Sequence, residues 1–263
     1  MKITPPIPRE HGAWAMLYTP FLVTCLVVNR WEMRIAFLAI ALTSLFFAHE
    51  PLLILAGMKR GGRTDERSGY ALGWLFGYTG IAAVAAAPLI FHHGLWLLAP
   101  FGMAAVASLS VHAWMIYARS ERSFAAELMS ILGLTSVAAV TDYVIQGTFD
   151  RRALLLWLLN ALYFISSIFY VKMLVSRFSR KGDARALVWL CGTYHGILLI
   201  IVGMFAWLQW MPAMVVLAFV PIVIRALWGM NVQGIRLNLR RVGFAEVVLT
   251  LLFLVLLITG FRS

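Results

Sequence analysis

His49, Glu50 and Pro51 interrupt an apolar run, "SLFFAHEPLLILAGM", that otherwise reads as one membrane helix. Ionisable side chains inside a bilayer are costly, so they face a bundle interior, a cavity or a partner. Pro51 removes a backbone donor and frees a carbonyl beside the carboxylate, which predicts a kink there. Two readings of Glu50 stand side by side. It is either a structural carboxylate paired with an arginine or a helix-end donor, or a working group lining a polar cavity.

A second concentration of chemistry lies in "NALYFISSIFYVKMLVSR". At 100° per residue, Asn160, Tyr163, Ser167, Tyr170 and Arg177 share one helix face, with Ser166 on its margin. A lipid-facing helix does not carry such a stripe. Hydrogen bonding between helices explains two or three of these groups; five, ending in a basic loop, favour a polar cavity. In "REHGAWAMLY", His11, Trp14 and Tyr18 share a face, a pattern that also suits a helix cap and an interfacial anchor. His195 in "GTYHGIL" is either a packing histidine or a ligand-facing one, and His92 and His93 sit on a hairpin without assigned chemistry. His11, His49, Glu50 and His195 would have to converge to hold a metal, and no short-spaced ligand pair exists. No phosphate-binding glycine loop or nucleophile motif is present.

The elements that carry these residues follow from composition. Of the 263 residues, 62% are hydrophobic and 13% charged, and mean hydropathy is +0.86; soluble domains carry about a quarter charged residues. Apolar stretches of bilayer length recur from end to end. The expected fold is all-α, one integral membrane domain over residues 1–263. Nine spans are expected, near 12–28, 35–58, 70–91, 95–117, 125–145, 153–175, 186–208, 211–230 and 243–261. The breaks "HHG" and "QWMP" predict tight antiparallel hairpins. The proline-rich polar opening "MKITPPIPRE" predicts a retained first span rather than a signal peptide.

Of the 22 Lys and Arg, all but Arg30, Arg34, Arg151, Arg152 and Arg262 fall in breaks on the side of the N-terminus, with Lys172, Arg177 and Arg225 counted among them. Cytoplasmic loops collect basic residues, so the N-terminus is expected in the cytoplasm and the C-terminus outside. The net charge of +11 then reflects topology and anionic lipid headgroups. Scattered charges with few interleaved aromatics argue against nucleic acid. Cys25 and Cys191, both within spans, read as small packing residues. A weak repeat relates spans two and six: Phe46 with Tyr163, Arg60 with Arg177 and Arg63 with Arg180 share one offset. Two related bundles, with a working site between them, are the expectation it raises.

"PREHGAWAMLYTPFL", "FFAHEP", "YARSERSFAAELMSILGLT" and "YFISSIFYVKMLVSR" together resemble the YwiC-like family of bacterial membrane proteins. The likeness covers the length of the chain and implies a multi-pass protein of the bacterial cytoplasmic (inner) membrane. More distantly, nine spans with marked cytoplasmic loops after spans two and six are similar to the UbiA superfamily of intramembrane prenyltransferases. There, two aspartate-rich motifs hold magnesium and an isoprenoid diphosphate. This chain departs from that pattern, with His49, Glu50, Asp65 and Glu66 at the first position and Ser167, Tyr170 and Lys172 at the second. Magnesium binds through oxygen ligands, usually carboxylates, so any cofactor stays unknown.

That second resemblance implies an intramembrane site for a phosphorylated lipid or isoprenoid, open to the cytoplasm. Arg60, Arg63, Arg177 and Arg180 would cradle the anion. Glu50 with His49 would act as general base or metal ligand, and Tyr163 and Tyr170 would orient an acceptor. His11, Asn160, Ser167 and His195 complete the candidate substrate-binding set. The alternative is a transporter or lipid-binding protein without covalent chemistry, for which the missing aspartates count.

Overall fold

The computed structural model describes residues 5–8, 11–61, 66–117, 124–179, 184–232 and 239–263. The longer helices are α1 (His11–Val28), α2 (Met33–Gly61), α3 (Glu66–Ala87), α4 (Leu98–Tyr117), α5 (Phe124–Thr135), α6 (Val137–Gln146), α7 (Arg151–Ser179), α8 (Ala184–Trp207), α9 (Val220–Asn231) and α10 (Leu239–Arg262). A π-helical turn, Pro88–His92, extends α3, and a 3-10 segment, Ala213–Phe219, leads into α9. No strand occurs among the described residues.

Each expected span is present within a few residues, with two refinements. The fifth is interrupted for one residue at Ser136. There Thr135 and Ser136 turn their hydroxyls back onto the carbonyls of Ile131 (2.7 Å) and Gly133 (2.6 Å), a bonding mode that bends helices. The eighth starts as the 3-10 segment because Pro212, with no N–H to donate, precedes it in an extended conformation. α2 runs through Pro51 as one helix: the helix tolerates the loss of a single backbone donor there.

Among the described residues eight apolar helical stretches of 18–28 residues are long enough to cross a bilayer, and α1 adds a shorter one. Exposed tryptophans mark two levels. Trp31, Trp96, Trp207 and Trp210 lie at or beside the breaks after α1, α3 and α8, and Trp114, Trp189 and Trp228 near the far ends of α4, α8 and α9. Trp189 and Trp207 bracket α8, a separation of about 27 Å at 1.5 Å per residue, close to the ~30 Å hydrocarbon layer. Tryptophan favours both interfaces. The protein is a multi-pass helical membrane bundle.

Among the described residues the interior holds a small cluster of Tyr170, Met173, Leu174, Cys191 and Ala226 and two larger cores. One gathers Leu17, Phe21 and Cys25 of α1, Phe46 of α2 and Val140, Tyr143 and Val144 of α6. The other gathers Leu156, Leu159 and Tyr163 of α7, Leu198 and Val202 of α8, Phe219 of the 3-10 segment, Ile222 of α9, and Phe253 and Leu257 of α10. α1 and α6 serve both, since Val23 and Ala138 belong to the second, and Thr24 Oγ1 donates to the Ala138 carbonyl at 3.3 Å. Phe46 and Tyr163, equivalent in the weak repeat, lie one in each core. Side chain to backbone bonds tie neighbours where the helices touch: Trp157 Nε1 to Leu132 O (3.1 Å) and Tyr194 Oη to Leu162 O (2.7 Å).

Candidate functional site

α7 carries its polar stripe inward. Tyr163 and Ser166 are fully buried and Tyr170 nearly so. What they meet was not foreseen in the sequence: Arg225 of α9 and Glu246 of α10. The Arg225 guanidinium pairs through Nη1 with both carboxylate oxygens of Glu246, and its Nη2 donates to Ser166 Oγ at 3.1 Å. Ser167 Oγ donates to Glu246 Oε2 at 2.8 Å. The guanidinium carbon stands 4.3 Å from the centre of the Tyr170 ring, a cation–π contact strengthened by exclusion of water. Tyr163 Oη donates to Thr250 Oγ1 (3.2 Å), and Thr250 in turn donates to the Glu246 carbonyl (2.8 Å). The Tyr163 ring stacks on Phe253 with centroids 4.0 Å apart.

The physical reason for this convergence is the cost of charge in hydrocarbon. Arg225 interrupts the apolar run "VPIVIRALWGM" and Glu246 interrupts "GFAEVVLT". Each alone would be expensive at membrane depth, so they pair, and Ser166 and Ser167 each add one hydrogen bond to the pair. This corrects the expectation that Arg225 belongs to a cytoplasmic break. Its side chain is only 6% exposed, against 20% for Glu246. Lys172 and Arg177 likewise lie within α7. The charge asymmetry stands without these three.

Arg177 closes the inner end of the stripe. Its Nη1 donates to the carbonyls of Gly229 and Met230, both at 2.6 Å, capping the C-terminal end of α9, where carbonyls lack helical partners. Asn160 lies further toward the other end of α7, its Nδ2 on the Leu156 carbonyl (2.8 Å) and its Oδ1 buried with no partner among the described residues. His195 of α8 donates from Nδ1 to the Cys191 carbonyl (2.8 Å), a bond that assigns its tautomer. Its Nε2 and the Arg225 Nε are both buried and have no partner among the described residues. Cys191, one turn from His195, packs with Tyr170 and Ala226.

His49 and Glu50 occupy the other bundle. Both are half-buried on α2, which packs on α3, α4 and α6. One turn away, Phe46 and Phe47 meet Trp14 of α1 edge-on, with centroids 5.3 and 5.6 Å apart. Trp14 stacks on Tyr18 and donates to the Pro8 carbonyl at 3.0 Å. Thus "HGAW" and "FFAHEP" form one aromatic junction. His11 and Arg60 lie at helix ends, and their side chains fall outside the described atoms, as do Arg63 and Arg180 entirely. Among the described residues the structure therefore joins Tyr163, Ser167, Tyr170 and Arg177 to α9 and α10, while His49 and Glu50 stand at the α1–α2 junction.

Among the described residues the donors do not fit a magnesium site of the prenyltransferase kind; Asp65 and the Glu66 side chain lie outside them. Ser167 is engaged by Glu246, and Lys172 Nζ pairs with Glu127 Oε2 at 3.0 Å. No group of three His, Cys, Asp or Glu side chains comes together among the described residues. At the opposite end of the bundle, Arg152 Nε meets the fully buried Asp142 Oδ1 at 2.8 Å. Beside this pair an open pocket of about 250 Å³ is lined by Asp150, Arg151, Arg152, Leu155, Trp210 and Phe261.

Relatives extend the match. The model of the YwiC-like protein family fits residues 7–142, the stretch from "HGAW" through α6. The chain is similar to the protein YwiC of Bacillus subtilis, which carries the description "uncharacterized". Identity is 26%, covering 94% of this chain and 95% of that one. A Haemophilus influenzae protein with the same description is 24% identical, covering 97% and 98%. No solved structure matches. With more than half of its length fitted by that model, the chain belongs to the YwiC-like protein family.

Proposed function

We propose that the protein binds a phosphorylated lipid or isoprenoid within the membrane, its anionic headgroup toward the cytoplasmic ends of α7, α9 and α10 and its chain between helices. The observation that carries this reading is the inward polar face of α7, which gathers Tyr163, Ser166, Ser167 and Tyr170 onto the buried Arg225–Glu246 pair and ends in Arg177. A guanidinium at membrane depth with tyrosine and serine hydroxyls around it suits a phosphate better than a neutral ligand. The distant prenyltransferase likeness supports the same ligand class. Arg60, Arg63 and Arg180 would add cationic charge near the headgroup, with His11 and His195 close to the ligand path. His49 and Glu50, which sit at the aromatic junction, would take or give a proton on a bound headgroup.

The engaged state of Ser167 and Lys172 favours binding or transport of the amphiphile over magnesium-dependent transfer chemistry. Mass spectrometry of the small molecules that co-purify in mild detergent tests the reading. Wild type is expected to carry a phosphorylated amphiphile above the bulk phospholipid background, and Arg225→Met to lose it. Bulk phospholipid alone, equal in both, would contradict the reading. Glu50→Gln in the same experiment separates a role in proton handling, which leaves the ligand bound, from a role in binding.

A further inference from the structure

Glu246 occupies the place that an anionic ligand of Arg225 would need. Its two carboxylate oxygens already satisfy the Arg225 Nη1, and Ser167 supplies a further donor to Oε2. A carboxylate and a phosphate present the same kind of acceptor oxygens to a guanidinium. The seat is therefore built for an anion and filled by one from the protein itself. Its surroundings leave two polar groups unanswered: the Arg225 Nε–H, a donor, and His195 Nε2, an acceptor. Both belong to buried side chains, His195 only 3% exposed and Arg225 8%. Buried groups of this kind normally have a partner, protein or otherwise.

Charge balance then constrains how a ligand enters. Arg225 and Glu246 are together neutral, and the bilayer penalises any net charge left at this depth. A singly charged anion that displaces Glu246 from Arg225 would leave an extra negative charge, unless the displaced carboxylate is protonated. Among the described residues the ionisable groups near the pair are few, and Arg177 of α7 is held by the Gly229 and Met230 carbonyls. α7 brings Tyr163 and Tyr170, and α8 brings Cys191 and His195 behind Arg225. The 3-10 segment carries none, and Cys25 and Tyr18 of α1 turn to the other core. Arg240 and Arg241 stand at the start of α10, more than a turn away along the helix. Glu246 is the carboxylate in this set.

We infer that Arg225 and Glu246 form a proton-linked anion seat: the phosphate of the ligand replaces the Glu246 carboxylate on Arg225, and Glu246 takes up one proton from cytoplasmic water for each singly charged ligand bound. No covalent bond to the ligand forms. The ionic contact Arg225–Glu246 breaks, an Arg225–phosphate contact forms, and one O–H bond forms on Glu246. Release reverses each step and returns the proton. The inference rests on the phosphorylated-ligand reading and adds to it a co-substrate, the proton.

The test uses purified full-length protein in weakly buffered mild detergent. The probe is dodecyl methyl phosphate, a phosphodiester with one fixed negative charge, so the probe itself does not titrate near neutrality. Wild type is expected to take up one proton per probe bound, read by a pH-indicator dye alongside calorimetric titration. Its Kd is expected to weaken about tenfold per pH unit above neutrality, as linkage of one proton requires. Glu246→Gln keeps amide contacts to Ser167 and is expected to bind at least as tightly as wild type at high pH, with no proton uptake and no pH dependence. Binding by wild type without proton uptake would overturn the proton linkage while leaving the ligand class standing. Absence of probe binding would overturn the seat. The pH series on wild type alone decides the matter if Glu246→Gln proves too unstable to purify.

Discussion

Arg225 of α9 lies with its guanidinium over the Tyr170 ring of α7, 4.3 Å from the ring centre, while its Nη1 pairs with Glu246 of α10. Three helices, α7 and the consecutive pair α9 and α10, thus meet at one charged group inside the membrane. The pair is an unusually sensitive point of the fold, because Arg225 alone is a buried, uncompensated charge and Glu246 alone a part-buried one.

Arg225→Met or Glu246→Met is expected to lower stability by about 3–5 kcal/mol, the usual cost of stranding one member of a buried pair. The double Met variant is expected to recover most of that loss, since an apolar pair of similar volume strands nothing. Thermal unfolding in detergent across this mutant cycle checks it; equal losses in single and double variants would mean that the two residues act independently.

The second ion pair should behave asymmetrically. Asp142 is fully buried, whereas the Arg152 side chain is 36% exposed. Arg152→Ala leaves a buried carboxylate without its cation and is expected to cost about 3 kcal/mol. Asp142→Asn frees Arg152 to reach water and is expected to cost about 1 kcal/mol. The reverse order in an unfolding assay would contradict this account of the outer end.

Two close approaches rank a pair of glycine substitutions. A Cβ at Gly229 would stand 2.6 Å from Tyr170 Cε2, a side-chain atom, whereas one at Gly260 would stand 2.9 Å from the Val215 backbone. The Tyr170 ring can shift, at the expense of its contact with Arg225; the backbone of the 3-10 segment cannot. Gly260→Ala is therefore expected to be the more destabilising, and Gly229→Ala to cost about 1–3 kcal/mol, the range for overpacking. Unfolding temperatures of the two variants check the order, and ligand binding by Gly229→Ala should fall with the displaced ring.

From the distribution of Lys and Arg the N-terminus is expected in the cytoplasm and the C-terminus outside. A C-terminal alkaline phosphatase fusion is expected to be active and a C-terminal green fluorescent protein fusion dark. The opposite pattern would invert the bundle and put the inner end of α7 on the other side.

Spans were legible because each carries its own signal, an apolar run bounded by charge or turn residues. The inward face of α7 was legible for the same reason: periodicity places Tyr163, Ser167 and Tyr170 together without knowledge of any neighbour. Its partners were not. Arg225 and Glu246 each look like a stray charge, one close to a basic break and one early in the last span, and their pairing is a tertiary fact. The usable clue was that each interrupts an apolar run from within. Asp142 in "VTDYVIQ" gave the same clue. His49 and Glu50 were visible as anomalies, yet nothing in the sequence said that Trp14 would pack one turn from them.

Photo-crosslinking tests the central claim most directly. A dodecyl phosphate carrying a diazirine midway along its chain would be activated on the purified protein and the adducts mapped by peptide mass spectrometry. The account expects adducts concentrated between Tyr163 and Arg177 of α7 and on the facing turns around Arg225 and Glu246, reduced at least tenfold (about 1.4 kcal/mol) in Arg225→Met. Adducts spread over the lipid-facing surfaces of α3 and α4, unchanged in that variant, would contradict it.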